Sequence, residues 1–258
     1  MPFFPQFSNL FVPPYVPTPS EKILWLKADV GVTYDGSDLV TLWEDQSGNG
    51  NDVTPFDTGY EPLWVDNSIN SLPTIRFKDD DDTKLLVTPN FYSISYDSPT
   101  SIIAVLKANS SEIASGDAQR WFLPDGASGS FELGFTFGGY SNPDRNFAAM
   151  VGKNLVGEAN IESSTISGTE TAIISLINTG SEVFFYKNGA LIGTEDPTAY
   201  NTTNATSGIW GIGGQMASGN IYLSAKFNLA ELIMYNSALG TATRESDESY
   251  LNAKWNVY

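Results

Sequence analysis

The chain has neither histidine nor cysteine among its 258 residues. Without imidazole, a Ser-His-Asp or Cys-His mechanism is excluded, and so is any imidazole-ligated zinc or iron site. Without thiols there is no thiolate chemistry, zinc ribbon or disulfide, and the fold must hold by its core alone. Basic residues are also scarce, 13 Lys and Arg against 30 Asp and Glu, for a formal net charge of −17. Long-range repulsion therefore makes nucleic acid and anionic membranes poor partners. No run approaches the ~20 apolar residues of a membrane span, so membrane insertion is not expected. The N-terminus lacks the basic and apolar regions of a signal peptide, and the chain is expected to begin at Met1 without a Sec-type export signal. What survives is carboxylate chemistry, either glycoside hydrolysis or oxygen-ligated cations such as calcium.

Hydrophobic residues make up 41% and aromatics 13%, with 23 glycines and many Thr, Ser and Asn, a composition that suits strands and turns better than helices. One domain over 21–258 is expected, preceded by an arm at 1–20 that holds six of the 14 prolines. Proline at that density is extended and stays out of a ladder. In the arm Phe3, Phe4, Phe7, Phe11 and Tyr15 alternate with the prolines. Exposed aromatics are costly unless they lie on a surface, so the arm either folds back on its own domain or anchors it to a neighbouring subunit or larger assembly.

The last forty or so residues carry the most definite local signal. Ile221, Leu223, Ala225, Phe227 and Leu229 alternate, and Leu232 to Tyr235 form a nearly continuous apolar run, the pattern of a strand covered on both faces. The period then changes to a helical one through Ala242, Ser246, Tyr250, Leu251 and Trp255, with Gly240 or Thr241 as the expected start. Upstream, Ser101 to Lys107, Ala172 to Ile177 and Ile209 to Gly214 read as strands, and Glu182 to Tyr186 and Ala190 to Ile192 flank a Lys187-Asn188-Gly189 hairpin turn. No period of 20 to 50 residues repeats, which excludes a propeller or solenoid.

The run Phe227, Ala230-Glu231-Leu232-Ile233, Tyr235, Ala238-Leu239, then Tyr250-Leu251 and Trp255 resembles the closing segment of laminin-G-like, concanavalin A-like domains. That segment commonly reads F-x-G-x-I-A-E-I-x-x-Y-x-R-A-L-S before a terminal helix. The opening resembles the same family through Leu24-Trp25-Leu26, Trp43, Asp45 and Ser47-Gly48-Asn49-Gly50-Asn51, followed by Pro73-Thr74-Ile75-Arg76-Phe77. Asn228 departs from the usual glycine, Ser237 from arginine and Gly240 from the capping serine, so a frayed helix start is expected. In the Ser47 to Asn51 segment the glycines supply positive φ, and Asp45, Asn49 and Asn51 are expected to bond their own backbone, which makes a structural turn. The resemblance implies an all-β, two-sheet antiparallel jelly-roll sandwich with a short C-terminal helix and an extended N-terminal arm.

Jelly rolls of this type serve as glucanases, lectins and adhesion modules, so the function has to come from a site. Asp79, Asp80, Asp81 and Asp82 are adjacent carboxylates that need solvent or a cation, and they are the calcium candidates, although the EF-hand spacing is missing. Glu158-Ala159-Asn160-Ile161-Glu162 puts two carboxylates and an amide on one strand face, half resembling the E-x-D-x-E of laminarinase-like hydrolases. Asn160 lacks the carboxylate that would tune its neighbours, so a polar strand face is the favoured reading and no catalytic residue is assigned. Trp121, Tyr140, Asn142, Asp144 and Arg145 combine aromatic and planar polar groups in glycine-rich loops, the ingredients of a carbohydrate site or of an ordinary turn with Tyr140 and Trp121 partly in the core, the latter being the favoured reading.

The leading expectation is a non-enzymatic, lectin-like structural or adhesion protein displayed on a large assembly, above all a bacteriophage virion, as a capsid decoration or fibre protein. Its partners would be other virion proteins, through the arm, and surface glycans. Its location would be the virion surface, and display commonly goes with a symmetric homo-oligomer. The alternative is a secreted, extracellular carbohydrate-active protein, either a free lectin or a glycoside hydrolase.

Overall fold

The computed structural model describes residues 22–77, 84–113, 119–126, 130–139, 142–153, 157–200, 206–217, 220–222 and 224–258. The segment 1–20 with its anchor candidates Phe3, Phe4, Phe7, Phe11 and Tyr15, and the calcium candidates Asp79, Asp80, Asp81 and Asp82, lie outside the described residues.

Among the described residues, nineteen strands and one α-helix follow in chain order. The first eight strands are β1 (Leu24–Lys27), β2 (Val32–Tyr34), β3 (Val40–Trp43), β4 (Thr54–Pro55), β5 (Leu63–Ile69), β6 (Leu72–Phe77), β7 (Leu86–Val87) and β8 (Thr100–Asn109). Then come β9 (Gln119–Pro124), β10 (Phe131–Gly139), β11 (Asn142–Lys153), β12 (Gly157–Thr165), β13 (Thr169–Asn178), β14 (Val183–Lys187) and β15 (Ala190–Glu195). The last are β16 (Trp210–Ile212), β17 (Gln215–Ala217), β18 (Asn220–Tyr222) and β19 (Phe227–Tyr235), before α1 (Thr241–Trp255).

Among the described residues, one eight-stranded sheet orders β15-β14-β13-β8-β19-β6-β5, with β1 pairing β19 off this path. A seven-stranded sheet orders β12-β11-β10-β9-β16-β7-β4 and faces it, and β17-β18 and β2-β3 form small hairpins. The strand pairings are antiparallel. The expected two-sheet antiparallel sandwich with a terminal helix is thus what forms.

Strand β19 is the pivot. Along one side it pairs with β8; along the other it is shared by β6, at Phe227 to Leu229, and β1, at Glu231 to Met234. Its inward residues Phe227, Leu229, Leu232 and Met234 belong to the core between the sheets, while Ala230, Ile233 and Tyr235 join an outer cluster with Leu251 and Trp255 of α1. This double cover explains the continuous apolar run. A bulge between Leu229 and Glu231 shifts the alternation by one residue without losing either face. The inter-sheet core is aromatic, with Phe77 stacked on Phe227 at 5.0 Å and Trp121 on Phe135 at 5.0 Å between ring centroids.

The turns behave as the sequence indicates, with one difference. Asn188 (φ 50°) and Gly189 (φ 78°) join β14 to β15 in the left-handed conformation that this hairpin requires. Gly48 and Gly50 also have positive φ, and Asp45 accepts hydrogen bonds from the backbone N–H of Ser47 and Asn51. Asn49 and Asn51, however, reach across the chain to donate to the carbonyls of Lys22 and Ile23, and Asp45 also accepts from the Trp25 N–H. The segment is therefore a clasp on the entry to β1 as well as a local turn.

Two expectations about the C-terminal region are corrected. The alternation from Ile221 does not run as one strand: β18 turns back on β17, and β19 begins only at Phe227. The helix does start at Thr241, with Gly240 supplying no side-chain cap, but its buried face is Arg244, Asp247, Glu248, Leu251 and Trp255 rather than one containing Ala242 and Ser246. Charged groups are admitted because each finds a partner. Arg244 pairs with Glu248 at 2.6 Å, Glu248 accepts from Ser175 Oγ at 2.7 Å, and Asp247 accepts from the Tyr235 hydroxyl at 2.5 Å.

Candidate functional site

On the outer face of the eight-stranded sheet, beyond the area covered by α1, the described residues form an open cleft of about 400 Å³. Its floor is one row across three neighbouring strands. Asn228 of β19 stands opposite Arg76 of β6 on one side and Lys107 of β8 on the other. The neighbours of these residues point into the core, so strand alternation sends all three outward. One wall is a bulge in the edge strand β5, where Val65 opposes Thr74 and Ile69 opposes Leu72, leaving Asp66, Asn67 and Ser68 extruded. Asn67 takes φ 49° there. The opposite wall is the end of β8 and the following turn, Asn109 to Glu112, beside Thr169.

The row is held in place by hydrogen bonds. The Asn228 amide donates to Thr74 Oγ1 at 2.8 Å and to Ser68 Oγ at 3.2 Å, and Lys107 Nζ donates to the Ser68 carbonyl at 3.2 Å. Arg76 Nη2 pairs with Glu112 at 2.8 Å, both side chains about one-third exposed. Two cations and an amide thus line the floor on a rigid sheet, with Ser68, Thr169 and the carboxylates of Asp66 and Glu112 in the walls, an arrangement able to grip a small polar ligand by directed hydrogen bonds.

Of the predicted carbohydrate residues, Trp121 alone has a described side chain, and it is not brought to this cleft. Trp121 is fully buried, stacked on Phe135 and 4.9 Å from Phe227, so it is an element of the core and not an accessible sugar platform. The cause is a register shift: Phe122 opposes Phe135 and Arg120 opposes Thr136, leaving Trp121 as the extra residue, turned inward. Tyr140 lies outside the described residues; Asn142, Asp144 and Arg145 belong to β11, with side chains outside the described set. Of the E-x-N-x-E face, Glu162 accepts a hydrogen bond from Asn146 Nδ2 at 3.0 Å, and Asn160 leaves a buried Oδ1 without a partner among the described residues. The Glu158 side chain is outside the described set. No group of three or more acidic residues able to hold a metal ion occurs among the described residues.

Several polar constellations escape a reading of the sequence. On the outer face of the seven-stranded sheet Glu132 is wholly buried, accepting from Gln215 Nε2 at 2.6 Å and pairing with Arg120 at 3.5 Å. This ties the β17-β18 hairpin to the sheet. An exposed ring backed by another aromatic occurs at Tyr34, stacked on Trp64 at 4.6 Å. The cleft had one sequence signal. Asn228 stands where the resembling family usually has glycine, and it is this substitution that places an amide on the cleft floor.

No protein-family model and no curated protein matches the chain. Solved structures do. The ligand binding domain of botulinum neurotoxin serotype D, in complex with N-acetylneuraminic acid, matches with TM-score 0.58 and 11% identity over 90% of this chain and 52% of that one. The serotype G binding domain gives 0.61 and 13% over 90% and 51%. A variant of a GH54 α-L-arabinofuranosidase gives 0.59 and 14% over 84% and 51%. The fold is the concanavalin A-like jelly roll. At these identities the likeness concerns the fold alone, and this jelly roll spans about half the length of the chains it matches.

Proposed function

We propose that this jelly roll is a non-enzymatic, lectin-like module that binds glycans in the outer-face cleft. The observation that carries this reading is the registered row Lys107–Asn228–Arg76 on the floor of an open polar cleft of about 400 Å³. Sugars present hydroxyls in fixed directions, and a rigid row of planar and charged donors is suited to reading them. Two structural neighbours, one crystallised with N-acetylneuraminic acid and one an arabinofuranosidase, support sugar as the ligand class.

Display on a large assembly, a phage virion above all, is the setting that suits the acidic chain and its aromatic, proline-rich segment. In that setting the glycan site faces outward and Phe3 to Tyr15 dock on the carrier. The first experiment is a glycan array with the full chain, followed by titration calorimetry of the best binder against wild type, Arg76→Ala and Lys107→Ala. Binding weakened at least ten-fold by each substitution is expected. Absence of binding to every glycan, or binding that survives both substitutions, refutes the cleft as a glycan site. Reducing-sugar release from any bound glycan, lost in Glu162→Gln, would refute the non-enzymatic part.

A further inference from the structure

We infer that the cleft selects anionic sugars, gripping a ligand carboxylate or sulfate between Lys107 and Arg76. This rests on the cleft being the glycan site and adds the charge class of the ligand. The argument begins with the hydrogen-bond inventory. Lys107 commits one N–H to the Ser68 carbonyl, and Arg76 commits Nη2 to Glu112. Each cation retains further N–H groups, since an ammonium offers three and a guanidinium five. Asn228 spends its amide hydrogens on Ser68 and Thr74, so the floor between the cations offers only its acceptor oxygen. The floor is therefore rich in charged donors, which suits an anion, while the carboxylates of the walls are engaged, Glu112 with Arg76 and Asp66 with the backbone and side-chain amides of Asn67.

The geometry agrees. Both cations flank β19, and neighbouring strands lie about 4.8 Å apart, so their backbones are separated by about 10 Å, a span that two long side chains close around one anionic group. Glu112 already occupies one edge of Arg76, but both partners are about one-third exposed. Such a partly exposed pair contributes little, so a ligand carboxylate or sulfate can displace it. The net charge of −17 does not prevent this. Screening limits distant charges to a range of about 8 Å at physiological salt, whereas the two cations act at contact.

The test compares sialylated and uronate-containing glycans, sulfated glycans, neutral glycans and carboxyl-reduced versions of the acidic ones, all with the full chain. Expected results are at least ten-fold tighter binding of an acidic glycan than of its carboxyl-reduced form, and weakening as salt is raised. Glu112→Gln should tighten that binding several-fold while leaving neutral glycans unaffected; as a gain of binding, it cannot be explained by misfolding. Arg76→Lys keeps the charge but loses the fork, and should weaken binding less than Arg76→Ala. Sulfated glycans bound in place of carboxylated ones would support the proposal with the other anion. Equal affinity for acidic and carboxyl-reduced glycans overturns it and leaves the glycan-binding reading standing. No glycan binding at all overturns both.

Discussion

Glu231 offers the sharpest test of how the terminal helix is fastened. Its carboxylate is fully buried and accepts from Trp25 Nε1 at 2.7 Å, Trp255 Nε1 at 2.9 Å and Lys254 Nζ at 2.8 Å. It thereby joins β1, β19 and α1 through one side chain. In Glu231→Gln the shape is kept, but the amide replaces one acceptor oxygen with a donor that faces other donors. One indole N–H is then left without its partner, while Lys254 loses the charge of Glu231 and keeps Asp29. An unsatisfied buried donor costs about 1 to 3 kcal/mol, and breaking a buried charge pair from one side costs about 3 to 5 kcal/mol. Because Lys254 keeps Asp29, the lower range applies, and the expected loss is about 1 to 3 kcal/mol, or roughly 2 to 12 °C in melting temperature. Urea unfolding followed by tryptophan fluorescence reads it directly, because Trp25 and Trp255 are themselves buried. The control is Asp29→Asn, which removes the more exposed partner of Lys254 and should cost less than about 1 kcal/mol. A loss below about 1 kcal/mol in Glu231→Gln would refute the reasoning, since it would place this carboxylate in the class of exposed ion pairs.

Two further predictions concern packing and pH. Gly134→Ala would set a Cβ 2.0 Å from the Phe122 carbonyl oxygen, a backbone atom that cannot yield. The expected cost is about 3 kcal/mol or more, seen as a lower urea midpoint, and an unchanged midpoint would show that β9 and β10 are not packed this closely. The Tyr250 hydroxyl holds its proton well above the ordinary tyrosine range, first through burial and then through the negative charge of Glu231. The unfolded chain ionises this group near pH 10 while the folded chain does not, so its contribution is full below about pH 10 and falls as pH rises further. Lys27, whose ammonium is depressed chiefly by burial, acts in the opposite sense as pH approaches its ordinary range. The decisive quantity is therefore the difference between wild type and Tyr250→Phe across pH 9 to 11, in which the Lys27 contribution cancels. The alkaline decline should be shallower in Tyr250→Phe, and parallel curves would contradict the assignment.

Much of the architecture was legible because it rests on local patterns. The apolar run at Leu232 to Tyr235 identified a strand covered on both faces, Asn188-Gly189 the hairpin, and the change of period near Gly240 the start of the helix. The cleft was not legible in the same way. Arg76, Asn228 and Lys107 are far apart in the chain and meet only because β6 and β8 pair with opposite sides of β19. A core position for Trp121 was one reading of its segment, but the bulge that turns the ring inward was hidden, since it depends on the pairing of β9 with β10.

The sequence by itself determined the class of structure and the chemistry that is impossible. Alternation and turn residues act over a few positions and specify strands and hairpins, and the absence of histidine and cysteine removes whole mechanisms whatever the fold. Only the tertiary structure decided which charges are buried and which stand in the open cleft. Asp247, Glu248 and Glu231 look like ordinary surface residues until their partners arrive from distant strands. Lys107 and Arg76 look equally ordinary until the sheet sets them in one row. The cost of burying a charge depends on the partner brought to it, and sequence spacing within one segment carries no information about that partner.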